Sequence, residues 1–288
     1  MMTSEVKAKL NKQRISIDAK SVIWSIVITC LGLIMIIPFI WMISAALKRP
    51  LDVFEYPIRW IPKYWYPQNF ITVWNPKNNM LLAYANSAKI SIIITVGAVL
   101  NSALAGYAFA RINFRHRNKI FLLYLATMMI PTQVTMIPKF IMFDFLKLLN
   151  THNALILPGL FTALGTFLSR QAYLQVPKEL SEAAKMDGAN ELTIWGRIIT
   201  PLIKPSLASL ALLVFMGNWN NYEEPLIFLT SRKLFTIPLS LNTFMDEHIA
   251  DYSLVMAASV SALLPVIVVF AIGQKYFVKG LTEGAVKG

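Results

Sequence analysis

The chain has 288 residues, of which 56% are hydrophobic and 15% charged, with a mean hydropathy of +0.54 and a net charge of +12. Soluble domains average roughly one-quarter charged residues, so this composition excludes an ordinary water-soluble globule and favours a membrane protein. One cysteine excludes an intramolecular disulfide, and three histidines far apart in sequence leave no visible set of metal ligands.

Six long apolar segments follow one another along the chain. A bilayer core of about 30 Å needs about 20 helical residues. We predict membrane spans over residues 22–47, 86–110, 120–143, 154–169, 205–229 and 252–272. The first segment is too long for the apolar region of a signal peptide, and Pro131 and Pro138 are expected to kink the third span. The predicted fold is an all-α polytopic membrane protein with six transmembrane helices.

The distribution of basic residues predicts the orientation. Of 27 Lys and Arg, 17 lie in the two termini and in segments 111–119 and 170–204. By the positive-inside rule, this bias puts the N and C termini in the cytoplasm. We therefore predict a cytoplasmic tail over 1–20, a transmembrane domain over 21–273 and a cytoplasmic tail over 274–288. The densest basic cluster, residues 111–117, is more simply a short cytoplasmic loop, so the net charge does not indicate a nucleic acid.

The predicted external segment 48–84 is rich in proline and aromatic residues, among them Trp60, Trp65 and Trp74. We favour an aromatic belt at the outer membrane interface. The alternative is a docking surface for an extracellular protein.

Small residues recur at every fourth position of the second span, at Ala98, Ser102, Gly106 and Ala110. This spacing puts them on one helix face, where another helix can approach closely. We favour packing within this chain over contact with a second subunit.

The segment 174–204, between the fourth and fifth spans, is polar and of mixed charge. Pro177, acidic residues in the early turns and Gly188 predict two short helices, the second running from about Asn190 to Pro201. Ala183 and Ala184 leave a surface of little bulk, which suits docking in a groove of another protein.

The fifth span is interrupted by a mainly polar stretch from Asn218 to Pro225. Asn218 lies about 20 Å along the helix from Pro205, in the outer half of the bilayer. Side-chain amides and aromatic rings together suit sugars, which makes this stretch a candidate translocation path. Interfacial anchoring by Trp219 and Tyr222 is an equal alternative. The candidates for the path are Asn218, Trp219, Asn220 and Asn221, with Thr132 and Gln133 of the third span as weaker ones.

The segment 174–204 resembles the EAA motif of the membrane subunits of ABC importers. The matching residues are Glu182, Ala183, Ala184, Asp187, Gly188, Ile198 and Pro201. The usual leucine before the proline is Thr200 here. In that family the motif forms a coupling helix that inserts into a cleft of the ATPase subunit. The resemblance implies this role for Glu182, Ala183, Ala184, Asp187 and Gly188.

Other segments resemble the carbohydrate-importing branch, and within it the second permease of maltose transporters. They are Asn86-Ser87, residues 107–111, Ile130-Pro131, Trp219-Asn220, Pro225-Leu226, residues 237–239 and the tail from Gln274. The resemblance implies an ABC type I importer permease fold in the cell membrane. The implied partners are a second homologous permease in a heterodimer, two copies of a cytoplasmic ATPase subunit, and an external solute-binding protein. ATP and Mg are expected on the ATPase subunits and no cofactor on this chain.

In some members of that family the C-terminal tail reaches between the ATPase subunits, which implies this role for Gly284 and Lys287. A frayed chain end is the alternative.

The chain contains no GxxxxGK[ST] motif for binding ATP phosphates, and it is therefore not expected to be an enzyme. The favoured function is a permease subunit for carbohydrate import, with an oligosaccharide preferred. A glycerol-3-phosphate importer permease of the same family is the first alternative. An ion-coupled secondary transporter that uses Glu223 and Glu224 is the alternative from another class, and a membrane enzyme has the least support.

Overall fold

The computed structural model describes residues 19–248 and 251–285, and within them every regular element is helical. This confirms the predicted all-α fold. The helices are α1 (Ala19–Ala46), α2 (Gln68–Val73), α3 (Met80–Arg111), α4 (Arg117–Ala126), α5 (Thr132–Phe145), α6 (Asn153–Gly159), α7 (Ala163–Gln175), α8 (Glu179–Met186), α9 (Glu191–Thr193), α10 (Lys204–Trp219), α11 (Glu223–Phe228), α12 (Ile237–Glu247) and α13 (Tyr252–Ala285).

Four stretches of helix in the described residues are long and apolar enough to cross a membrane. They are Val22–Ala46, Met80–Arg111, Glu191–Trp219 and Tyr252–Lys275. They correspond to the first, second, fifth and sixth predicted spans, although α3 begins at Met80, inside the predicted external segment 48–84. The count of six crossings and the cytoplasmic position of the termini stay predictions.

The third predicted span is not one kinked helix. It consists of Arg117–Met129 and Thr132–Phe145, which meet at an angle of 95°. The break lies at Ile130 and Pro131, whose backbones are extended, with ψ of 115° and 137°. Proline disfavours a helical conformation in the residue before it and donates no hydrogen bond, so the chain leaves the helix there. Together the two helices form a fifth candidate span or a re-entrant segment.

The fourth predicted span, 154–169, is also divided, and its prediction as a single helix is wrong. α6 ends at Gly159, and Thr162 has an extended backbone at φ −136° and ψ 123°. The Thr162 side chain accepts a hydrogen bond from the backbone N–H of Gly165 and so starts a new helix. α7 then continues to Gln175, beyond the predicted end.

One predicted helix end is wrong, and the last helix is longer than its predicted membrane span. The second helix of segment 174–204 does not end at Pro201. A π-helical stretch over Ile194–Ile199 and a 3₁₀-helical stretch over Thr200–Ile203 join α9 to α10. These irregular turns accommodate the missing N–H groups of Pro201 and Pro205. At the other end, α13 continues past Ile272 to Ala285, so the tail that begins at Gln274 extends the last helix. Gly284 lies in this helix, and Lys287 is outside the described residues.

The pair α3 and α7 forms the most extensive helix contact of the fold. All four small residues predicted on one face of α3 are buried. A Cβ atom on Gly106 would lie 2.6 Å from Cβ of Ser169 and 2.8 Å from the backbone nitrogen of Arg170. The small face therefore packs within the chain, as favoured from the sequence.

The segment after α1 folds back against the end of that helix. The rings of Trp41 and Trp60 make an edge contact with centroids 5.6 Å apart, and Lys48 Nζ donates a hydrogen bond of 2.6 Å to the carbonyl of Arg59. Burial lowers the pKa of Lys48. Trp60 and Trp65 remain at least half exposed and lie next to a candidate span. This position fits the favoured aromatic belt, which stays a prediction.

His152 lies directly before α6, and we expect it to make the stability of the folded protein depend on pH. Its Nε2 lies 3.0 Å from the carbonyl oxygen of Leu234, and burial lowers the pKa of the ring. The folded state therefore holds the neutral ring, whereas the unfolded chain takes up a proton at about pH 6.5. The resulting contribution to stability is present above that pH and is lost as the pH falls through it. We expect the apparent melting temperature in detergent to fall between pH 7.5 and 5.5.

The control for this prediction is His152→Gln, which keeps a donor for Leu234 and removes the titration. Its melting temperature should depend less on pH than that of the wild type. If the melting temperatures of the two proteins change equally with pH, His152 is not the group responsible for the pH dependence.

Candidate functional site

The predicted coupling residues lie on α8 and the turn that follows it. Glu179 and Glu182 occupy the first helical turn and Lys185 the last, which matches the helix dipole at both ends. The helix closes with a Schellman motif, in which the N–H of Ala189 donates to the carbonyl of Ala184 at 2.9 Å and the N–H of Gly188 to that of Lys185 at 3.0 Å. Gly188 has φ +79°, a left-handed conformation that favours glycine.

α8 is attached to the rest of the molecule by one face. Ala184 is buried in a hydrophobic cluster that includes Tyr107 and Tyr173. Glu182, Ala183, Asp187 and Gly188 are exposed. The five predicted residues therefore divide into one that anchors the helix in this chain's own core and four that are available to a partner.

Polar contacts connect the α8 region to α3. Glu191 accepts a hydrogen bond from the Tyr107 hydroxyl at 2.8 Å and forms an ion pair with Lys185 at 2.6 Å. Arg111 Nη2 donates to the carbonyl of Tyr173 at 2.6 Å and also to that of Val176. Lys185, Glu191 and Tyr107 thus form a continuous polar contact from α8 to the end of α3. The sequence carries no local signal for the Tyr107–Glu191 pair, because the two residues are 84 positions apart.

The predicted interruption of the fifth span is present. α10 ends at Trp219, and α11 begins at Glu223. Asn218 donates a hydrogen bond to the carbonyl of Val214 within its own helix, while Asn221 donates to Glu224 at 3.1 Å. Asn220 is exposed and lines a cavity of about 240 Å³ between α10, α12 and α13. Among the asparagines, Asn220 is therefore the one best placed to meet a solute.

Trp219 is not an interfacial anchor. Its side chain is 4% exposed and packs with Ala83 and Ile237, with the Phe215 ring stacked at a centroid distance of 5.4 Å. Its indole Nε1 is buried and has no hydrogen-bond partner among the described residues. The indole lines the same cavity as Asn220 and forms part of its wall.

An ion pair joins the third predicted span to the interrupted segment. Lys139 Nζ lies 2.9 Å from Glu224 Oε1, and each side chain is about three-quarters buried. Gln133 Nε2 donates weakly to Glu223 at 3.4 Å, and both Thr132 and Gln133 are exposed. Glu223 and Glu224 are visible in the sequence as acidic residues of the interrupted fifth span, and Lys139 lies within the predicted third span, but the sequence gives no indication that Lys139 pairs with Glu224.

Metal ligation has no support in residues 19–248 and 251–285. No group of three or more His, Cys, Asp or Glu is close enough there to hold a metal ion.

Comparison with known proteins places this geometry in a family. Residues 80–283 match the family described as binding-protein-dependent transport system inner membrane component. The arabinooligosaccharides transport system permease protein AraQ of Halalkalibacterium halodurans is 40% identical over 220 residues, which cover 76% of this chain and 79% of that protein. The sn-glycerol-3-phosphate transport system permease protein UgpE of Yersinia pestis bv. Antiqua is 32% identical over 258 residues, covering 87% and 92%.

A solved structure has the same fold. It is a bacterial ABC transporter involved in the import of the acidic polysaccharide alginate, and one of its chains superposes with a TM-score of 0.80 at 23% identity, covering 91% of this chain and 98% of that chain. The predicted importer permease fold is confirmed. Members of the matched family are membrane components of transporters rather than enzymes. The chain therefore belongs to the binding-protein-dependent transport system inner membrane component family and is a multi-pass permease subunit of an ABC importer.

Proposed function

We propose that this subunit imports carbohydrate, with an oligosaccharide as the preferred solute. The observation that carries the proposal is the 40% identity to a permease named for arabinooligosaccharides. Glycerol 3-phosphate is the second candidate, since the permease named for it is 32% identical. An ion-coupled mechanism has lost support, because Glu224 is already paired with Lys139 and the family depends on a binding protein.

The proposed assembly contains this chain, a second homologous permease, two ATPase subunits and an external solute-binding protein. ATP and Mg bind to the ATPase subunits. The exposed residues of α8 dock in the ATPase, with Ala184 holding the helix to this chain. Gly284, in the last helix, is proposed to contact the same partner, and Lys287 is proposed to contact it as well. Segment 174–204 and both termini lie in the cytoplasm in this arrangement, and 48–84 faces outward.

Transport requires two conformations, one open to each side, and ATP binding supplies energy only by favouring one of them. Closure of the ATPase subunits displaces α8. The displacement reaches α3 through Lys185, Glu191 and Tyr107, and it reaches the interrupted segment through the helical stretch Glu191–Trp219. Asn220 and the wall formed by Trp219 then line the path for the solute.

Reconstitution in liposomes tests this function. The complete transporter, with its loaded binding protein, should accumulate labelled arabino-oligosaccharide when ATP is enclosed with the ATPase subunits. An ion gradient without ATP should give no accumulation. Uptake of glycerol 3-phosphate in place of the oligosaccharide would shift the substrate assignment, and gradient-driven uptake without ATP would refute the mechanism.

A further inference from the structure

A second cavity lies beside α8, at the point where α3 ends. Its volume is about 340 Å³. It is lined by Tyr107, Ala110, Arg111, Asn113, Arg117, Leu174, Lys178, Ser181, Glu182, Lys185 and Glu191. Because Arg111 is the last residue of the candidate span Met80–Arg111, the cavity opens at a membrane surface, whichever side that is.

The cavity has an excess of positive charge. Its lining contains four cationic and two acidic side chains. Glu191 is neutralised by Lys185 at 2.6 Å and also accepts the Tyr107 hydroxyl. Arg111, Arg117 and Lys178 then face Glu182 alone, and the described residues contain no ion pair that involves any of these three cations.

Two buried donors in the lining lack acceptors. The Arg111 guanidinium is fixed by its hydrogen bonds to the carbonyls of Tyr173 and Val176, yet its Nε is buried and has no partner in the described part of the chain. The Ser181 hydroxyl is buried and unpartnered in the same way. Buried polar groups are nearly always hydrogen-bonded, so each of these donors is open to an acceptor that the described residues do not supply.

We propose that this cavity binds a phosphate group. Guanidinium groups match phosphate oxygens in shape and charge, and a volume of about 340 Å³ is in the range of sites for organic ligands, roughly 300 Å³ upward. Basic pockets at the ends of membrane helices recognise anionic lipid headgroups, and a soluble phosphate compound has the same chemistry. The bound phosphate bridges Arg111 and Arg117, at the end of α3 and the start of α4, to Lys178 and Ser181 at the start of α8. The proposal is independent of the transported solute.

Charge-neutral variants of the full-length chain in detergent test the site. The test variant is Arg117→Gln with Lys178→Gln, and Arg111 is left in place because it also binds two backbone carbonyls. The control is Arg115→Gln with Lys119→Gln, which removes the same charge from exposed residues on either side of Arg117 that do not line the cavity. Dioleoylphosphatidylglycerol, dioleoylphosphatidylcholine and inorganic phosphate are titrated separately, with binding measured by native mass spectrometry and by the shift in melting temperature.

We expect the test variant to bind the anionic ligand about 30-fold more weakly than the wild type, since each cation at a membrane surface contributes roughly fivefold. The control should bind like the wild type. Binding of phosphatidylglycerol without competition from millimolar phosphate assigns the site to a lipid headgroup, and effective competition assigns it to a soluble phosphate compound. Equal binding by test and control variants, or equal affinity for phosphatidylcholine and phosphatidylglycerol, would overturn the proposal. Lys178→Gln alone provides the same comparison if the double variant does not fold.

Discussion

Ala183→Arg should abolish the association of this permease with its ATPase subunit and reduce ATP-driven uptake by more than tenfold. Ala183 is exposed on α8, beside the buried Ala184 that anchors the helix. Arginine has nearly the helix propensity of alanine, so α8 should form normally. The long charged side chain of arginine on this exposed face of α8 then prevents α8 from docking in the groove of the ATPase subunit. Co-purification of the tagged permease with the ATPase in detergent measures the association.

The matched control is Thr72→Arg, which adds the same side chain at an exposed position of α2, in the segment predicted to face outward. It should retain the ATPase. Gly188→Arg is less informative, because the φ of +79° at Gly188 would strain any larger residue and mix a folding effect with a docking effect. Full retention of the ATPase by Ala183→Arg would rule out docking through this face of α8.

Gly106→Ala should destabilise the protein by roughly 1–3 kcal/mol, although alanine is the better helix former. The new Cβ would meet the Arg170 backbone nitrogen at 2.8 Å and the Ser169 Cβ at 2.6 Å. Backbone atoms cannot rotate away, so α3 and α7 must separate. The apparent melting temperature in detergent should fall by several degrees.

Gly217→Ala provides the comparison, because no heavy atom lies within 4 Å of the Cβ position at Gly217 in α10. That variant should be neutral or up to about 1 kcal/mol more stable. If the two substitutions change the melting temperature alike, the close approach of α3 to α7 is not what requires glycine at position 106.

The sequence predicted the helices whose apolar runs are continuous, and it failed where tertiary contacts decide the geometry. Pro131 marked a disturbance of the helix, but whether a proline gives a kink or a 95° break depends on what the second half packs against. Here α5 packs on α11, through the Lys139–Glu224 ion pair and the contact of Phe143 with Phe228. The two residues of each pair are far apart in the sequence, so no local periodic pattern indicates that they are in contact.

In the candidate site, too, the sequence predicted the features that depend on local residues and missed those that depend on tertiary contacts. The spacing from Glu182 to Pro201 located α8 and its glycine, because capping and turn formation are local properties. Exposure is not local: Ala183 and Ala184 are chemically identical neighbours, and only the packing of α8 shows which of them is buried. Trp219 is similar, since an indole suits either a membrane interface or a core.

The continuous helical stretch Glu191–Trp219 joins the α8 region directly to the interruption of the fifth span. It comprises 29 residues of helical backbone, about 40 Å long at 1.5 Å per residue, with one end beside Lys185 and the other at the polar break. Any rotation that passes from one end to the other must cross the irregular turns over Ile194–Ile203, which interrupt the regular α-helical geometry. The geometry of those turns therefore decides how far a rotation beside Lys185 is passed on to Trp219.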